Sequence, residues 1–168
     1  NLNSIMVGAL GTMEAVGFFT TGNKVVSLVM TIITAVTSTI IPRMSYLVGN
    51  GKEEEAVFLQ KKTINLLNYM SLPMIAGLVI LAKPIILVFS GEEFLPSVIV
   101  LQILSFLLIV IPWSSFLGLQ ILYPIRKEKY GNYAVIIGAL VNLVLNFFLI
   151  PRYAYVGVAL SLIHISEP

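Results

Sequence analysis

Lys24, Ser27, Thr31, Thr34 and Ser38 recur at steps of three and four along the chain. That spacing puts one ammonium and four hydroxyls on a single helical face. Further on, Gly138, Asn142 and Asn146 repeat every four residues, so two amides share a second stripe. Asn65, Asn68, Gln102 and Gln120 add amides elsewhere. These groups can hydrogen-bond, but none is a nucleophile with a base beside it. Small and polar residues in apolar helices commonly serve helix packing, at about 0.6 kcal/mol per hydrogen bond. The other use is a wetted cavity, because an unpaired amide is costly in hydrocarbon. The candidate cavity set is therefore Lys24, Ser27, Thr31, Thr34, Asn142 and Asn146. For Lys24, snorkelling to an interface is the competing use.

The chain has no Asp and no Cys, and its single His is His164. That removes the usual metal-ligand clusters, every thiol nucleophile and every Ser-His-Asp arrangement. No catalytic residue, metal or cofactor is expected, and the chain is read as non-enzymatic. A net charge of +2 gives no argument for nucleic acid.

The elements that must position these residues follow from composition. Of 168 residues, 58% are apolar and 11% charged, with a mean hydropathy of +0.97. A soluble domain carries about a quarter charged residues, and a single core of this size still leaves about 30% of the surface exposed. An ordinary soluble domain is excluded, and so is disorder. Four runs lack Asp, Glu, Lys, Arg and His: 25–42, 64–82, 97–123 and 132–150. About 20 helical residues cross a hydrocarbon core of ~30 Å, so all four are expected to span, the third with a tilt or bend. Barrel strands would be ~10 residues long with polar alternation, which none shows. Residues 2–13 and the run from 155 read as partial spans. The expected fold class is all-α, a polytopic transmembrane bundle with four complete spans and two partial ones.

Charge in the loops orients the bundle. Alternation puts Arg43, Lys52, Lys61, Lys62, Arg126, Lys127 and Lys129 on one side, and Lys24, Lys83 and Arg152 on the other. The positive-inside rule makes the richer side cytoplasmic. Pro42, Pro84, Pro96, Pro124 and Pro151 fall at or near run ends, where a missing N–H costs least. Pro73 and Pro112 fall mid-run, freeing the carbonyls of Tyr69 and Leu108, with Ser71, Ser114 and Ser115 near enough to help. They are expected to make static kinks or a hinge. The loop after the first complete run is expected to form a separate interfacial helix. Its cap would be Asn50 or Gly51, its first turn Glu53 to Glu55, its last Lys61-Lys62, and Ala56 to Leu59 would supply apolar surface. Its lysines would touch anionic lipid.

The runs IMVGAL, VGFFTTGNKV, IIPRMSYLVGNGKEEEA, LPMIAGLVILAKPIILVFSGEEF, LQILS and VIIGALVNLVLNFFLIPRY, in that order, resemble bacterial oligosaccharide flippases. These belong to the multidrug/oligosaccharidyl-lipid/polysaccharide exporter superfamily. The resemblance covers about residues 1–162, and IPRM, FSGEEF and LIPRY at these spacings are its specific part. It implies two six-helix lobes around a cavity that moves lipid-linked glycans by alternating access. Residues 1–162 would be part of the C-terminal lobe, from the end of the seventh helix to the start of the twelfth. Relatives often have Asp-Lys where this chain has Asn3-Ser4, and Asp where it has Asn23. The ending LIHISEP resembles translated adapter sequence, so residues 163–168 are expected to be non-native, and His164 and Glu167 are given no role.

The resemblance implies an undecaprenyl diphosphate-linked oligosaccharide as cargo, moved across the cytoplasmic (inner) membrane for cell-envelope polysaccharide synthesis. Lys24, Asn142 and Asn146 would offer cationic and amide donors to the diphosphate. Expected partners are membrane lipids and a polysaccharide polymerase or glycosyltransferase. A cation-coupled multidrug exporter of the same superfamily is the nearest alternative, although ion coupling generally needs an intramembrane carboxylate and the four runs hold none. A polyprenyl-phosphate glycosyltransferase is the alternative from another class. Metal-dependent transfer normally needs carboxylates, and a chain without Asp has few.

Overall fold

The computed structural model describes residues 13–122, 129–133, 135–141, 144 and 156. Among them every regular element is helical. Helix α1 is Met13–Gly49, α2 is Glu53–Ile80 and α3 is Ala82–Ser90; a 3₁₀ turn, Glu92–Phe94, leads into α4, Ser97–Ser105. Helix α5, Leu107–Ser115, continues into a π-helical segment, Phe116–Leu122. Three stretches are long and apolar enough to cross a membrane: α1, α2 and Ser97–Gly118. The chain is an all-helical membrane protein, as the composition requires. Of the fourth expected span, 132–150, residues 132, 133, 135–141 and 144 are described, and all are helical.

Several boundaries differ from the expected ones. Helix α1 is unbroken over 37 residues, about 55 Å at the helical rise, so Glu14 and Lys24 sit on the helix and not in a loop. Pro42 and Arg43 also lie inside it, not at its end. The separate interfacial helix does not form. Glu53 to Lys62 are instead the first turns of α2, which runs straight on past Pro73. Continuity wins because Ala56 is buried with Met44 and Leu47 in a small cluster at the tip of the helix pair. Nor does Asn50 cap α2. Its Nδ2 donates to the Tyr46 carbonyl at 2.8 Å, closing the end of α1. Gly51 takes φ +69, a left-handed conformation that favours glycine, and reverses the chain. The acids of the first turn still lie where the helix dipole favours them.

Elsewhere the breaks have local causes. Pro84 can offer no N–H to the Ile80 carbonyl and its ring crowds it, so α2 ends and α3 restarts around Leu81. The long apolar run 97–123 is interrupted at Phe106 and by the π segment beyond Pro112.

The core is one cluster in which Phe19, Val26 and Ile33 of α1 meet Leu67 and Ile75 of α2, Leu101 and Leu104 of α4, and Leu108 of α5. At Gly22, α1 and α4 approach closely. A Cβ there would come within 2.9 Å of the Val100 side chain. Phe94 fixes the 3₁₀ turn against α1 by an edge-to-face contact with Phe18, ring centroids 6.0 Å apart.

Candidate functional site

Helix α1 has two unlike sides. Ala15, Phe19, Gly22, Val26, Ile33, Thr37 and Met44 are buried along one of them. Lys24, Ser27, Thr31, Thr34 and Ser38 are all exposed, and at 100° per residue they fall on roughly the opposite side. Leu28 and Ile32, 55% and 52% exposed, flank them and make an apolar border. The polar stripe expected from spacing therefore does not serve packing among the described residues.

Three of the four hydroxyls on this face are already committed as donors. Thr31 Oγ1 donates to the Leu28 carbonyl at 2.7 Å, Thr34 Oγ1 to the Met30 carbonyl at 3.0 Å, and Ser38 Oγ to the Ala35 carbonyl at 2.9 Å. A hydroxyl that donates backwards keeps its lone pairs free to accept. The face thus offers acceptors along its length and one cation, Lys24, nearer its start. That combination suits a solute rich in hydroxyl donors that also carries an anionic group.

Asn142 and Asn146 lie outside the described residues, and so does any groove shared between their stripe and α1. Gly138, of the same stripe, is described and half-buried.

Pro73 and Pro112 are brought into relation by a link across two helices. Ser71 Oγ donates to the Leu108 carbonyl at 2.8 Å, and both groups are buried. Leu108 is the carbonyl that Pro112 leaves without its helical N–H. Ser71 therefore serves the proline of the other helix. Two further bonds bracket this point: Trp113 Nε1 donates to Asn68 Oδ1 at 2.9 Å, and Gln102 Nε2 to the Val79 carbonyl at 3.1 Å. Asn68, Ser71 and Val79 lie on α2; their partners follow in reverse order along α4 and α5, so the two run antiparallel. The amides of Asn68 and Gln102 were legible as polar groups in apolar runs. Trp113 as the partner of Asn68 was not, because helix register leaves no local trace in sequence. The close approach at Gly22 was missed for the same reason.

The sequence profile of a family described as "Polysaccharide biosynthesis protein" matches residues 1–99. A protein of Haloferax volcanii named a probable low-salt glycan biosynthesis flippase is 25% identical over 156 residues, covering 93% of this chain and 33% of the relative. A protein of Escherichia coli (strain K12) named as a candidate O-antigen transporter is 27% identical over 163 residues, covering 95% of this chain and 38% of the relative. The chain thus spans little more than a third of the length of these relatives. No solved structure matches it at comparable stringency.

Proposed function

Because the chain belongs to the polysaccharide biosynthesis protein family, we propose that it forms part of a flippase moving a lipid-linked oligosaccharide across the cytoplasmic membrane by alternating access. The cargo has three chemically different parts, a glycan, a diphosphate and a polyprenyl tail. The observation that carries the reading is the exposed face of α1. Its acceptor oxygens at Ser27, Thr31 and Thr34 match sugar hydroxyls. The Lys24 ammonium matches the diphosphate, and the border of Leu28 and Ile32 matches the tail. Each part of the cargo meets its own chemistry on one helix.

In this reading residues 1–162 belong to the C-terminal of two lobes, and Asn142 and Asn146 face the same path from the later span. Pro73 and Pro112 lie where α2 and α5 share the Ser71 link, a site at which a lobe could bend while the carbonyl freed by Pro112 keeps a donor. A polymerase or glycosyltransferase supplies or consumes the glycan on either side of the membrane. Charged cargo at membrane depth needs a wetted, polar route, and the stripe on α1 is such a surface.

Complementation of a flippase-null strain tests this. Lys24→Ala and Asn142→Leu should each reduce surface polysaccharide at unchanged amounts of membrane protein, and Lys24→Arg should restore most of it. Full complementation by both Lys24→Ala and Asn142→Leu would make these residues a snorkelling anchor and a helix interface.

A further inference from the structure

At the tip of the α1–α2 pair, away from the polar stripe, lies an open pocket of about 310 Å³. Leu47, Phe58 and Leu59 make its apolar wall, and Arg43, Lys62, Glu54 and Glu55 supply its charge. Glu54, Phe58 and Lys62 are spaced by four along α2, as are Arg43 and Leu47 along α1, so each helix contributes one face. Glu55 is already paired with Lys52 at 2.9 Å. Arg43, Lys62 and Glu54 are exposed and make no ion pair among the described residues. Two cations and one carboxylate therefore remain for a ligand.

The depth of these charges is ordered. Arg43 and Lys62 border the uncharged runs 25–42 and 64–82, at the edge of the hydrocarbon. Glu54 lies two turns nearer the tip, about 12 Å further out. Phe58, 71% exposed, stands between them, the position of an aromatic side chain at a membrane boundary. A phospholipid seated beside these helices presents its phosphate at the inner level and any ammonium further out. The pocket has the same order, cations inward and carboxylate outward. A purely anionic headgroup would leave Glu54 facing like charge.

We propose that this pocket binds the headgroup of a zwitterionic aminophospholipid, of the phosphoethanolamine type. Arg43 and Lys62 hold the phosphate, Glu54 accepts hydrogen bonds from the primary ammonium, and the ethylene link between the two lies against Phe58. A quaternary ammonium has no N–H to donate to Glu54, so the site distinguishes phosphatidylethanolamine from phosphatidylcholine as well as from phosphatidylglycerol.

The test is lipid retention by the intact protein in detergent, read by native mass spectrometry with three lipids of identical acyl chains. Phosphatidylethanolamine should be retained in preference to phosphatidylcholine and phosphatidylglycerol. Arg43→Gln and Lys62→Gln should each weaken its retention about fivefold. Glu54→Gln should abolish the preference over phosphatidylcholine and increase retention of phosphatidylglycerol. The comparison of lipids on the unaltered protein needs no variant to fold. Equal retention of the ethanolamine and choline lipids would overturn the proposal. So would a preference for phosphatidylglycerol that Glu54→Gln leaves unchanged, or displacement of the ethanolamine lipid by a polyprenyl diphosphate.

Discussion

A threonine that donates its proton one turn back along its own helix faces outward as an acceptor, and this sets what the exposed side of α1 can offer a solute. Thr31 bonds the Leu28 carbonyl in this way. Thr31→Val keeps the shape and removes the acceptor, so on the proposed path it should slow glycan export while Thr31→Ser retains it. Accumulation of lipid-linked sugar in cells carrying each variant measures this. If a valine there exports at the rate of the unaltered protein, the hydroxyl has no part in recognition. Gly22 presents the opposite case, a residue whose role is to have no side chain. Its Cβ would lie 2.9 Å from Val100 Cγ1 and 3.1 Å from the Leu101 amide nitrogen, and the backbone atom cannot move aside cheaply. Gly22→Val should cost about 1–3 kcal/mol through overpacking, seen as a lower Tm in detergent. An unchanged Tm would place the α1–α4 crossing elsewhere.

Between helices, the link from Ser71 to Leu108 has a cost that depends on Pro112. Ser71→Ala strands a buried carbonyl and should destabilise the protein by about 0.6 to 1.7 kcal/mol, the range for hydrogen bonds in membrane bundles. In a Pro112→Ala background the residue at 112 regains an N–H that can reach Leu108. There Ser71→Ala should cost close to nothing. A double-mutant cycle on thermal unfolding isolates this coupling, and additive effects would mean that Ser71 contributes only packing. The elements themselves were mostly legible in the sequence. Uncharged runs located three spans among the described residues, and the steps from Lys24 to Ser38 located an exposed face. The freed carbonyl at Leu108 and the nearby hydroxyl of Ser71 were both legible, but their pairing was not, since it depends on the antiparallel register of α2 and α5. The failure at residues 52–62 has a different origin. Charge and capping residues there resemble an independent helix, and only the burial of Ala56 against Met44 and Leu47 makes it one piece with α2.

For the whole molecule, orientation rests on the distribution of basic residues. Single-Cys replacements at 62 and 127 should react with an impermeant thiol reagent only after permeabilisation, and one at 92 should react in intact cells. The chain has no native Cys to confuse the signal. Labelling of position 92 only after permeabilisation would invert the bundle and move Lys24 to the opposite mouth of the path. The chain spans 33% and 38% of the length of the two relatives. On the proposed reading the exposed face of α1 touches the glycan lipid. A photo-cross-linking residue at position 31, with one at the exposed Val88 of α3 as reference, tests it in membranes supplied with radiolabelled lipid-linked oligosaccharide. An adduct should form from position 31 and none from position 88. No adduct at 31, or equal adducts from both positions, would contradict it.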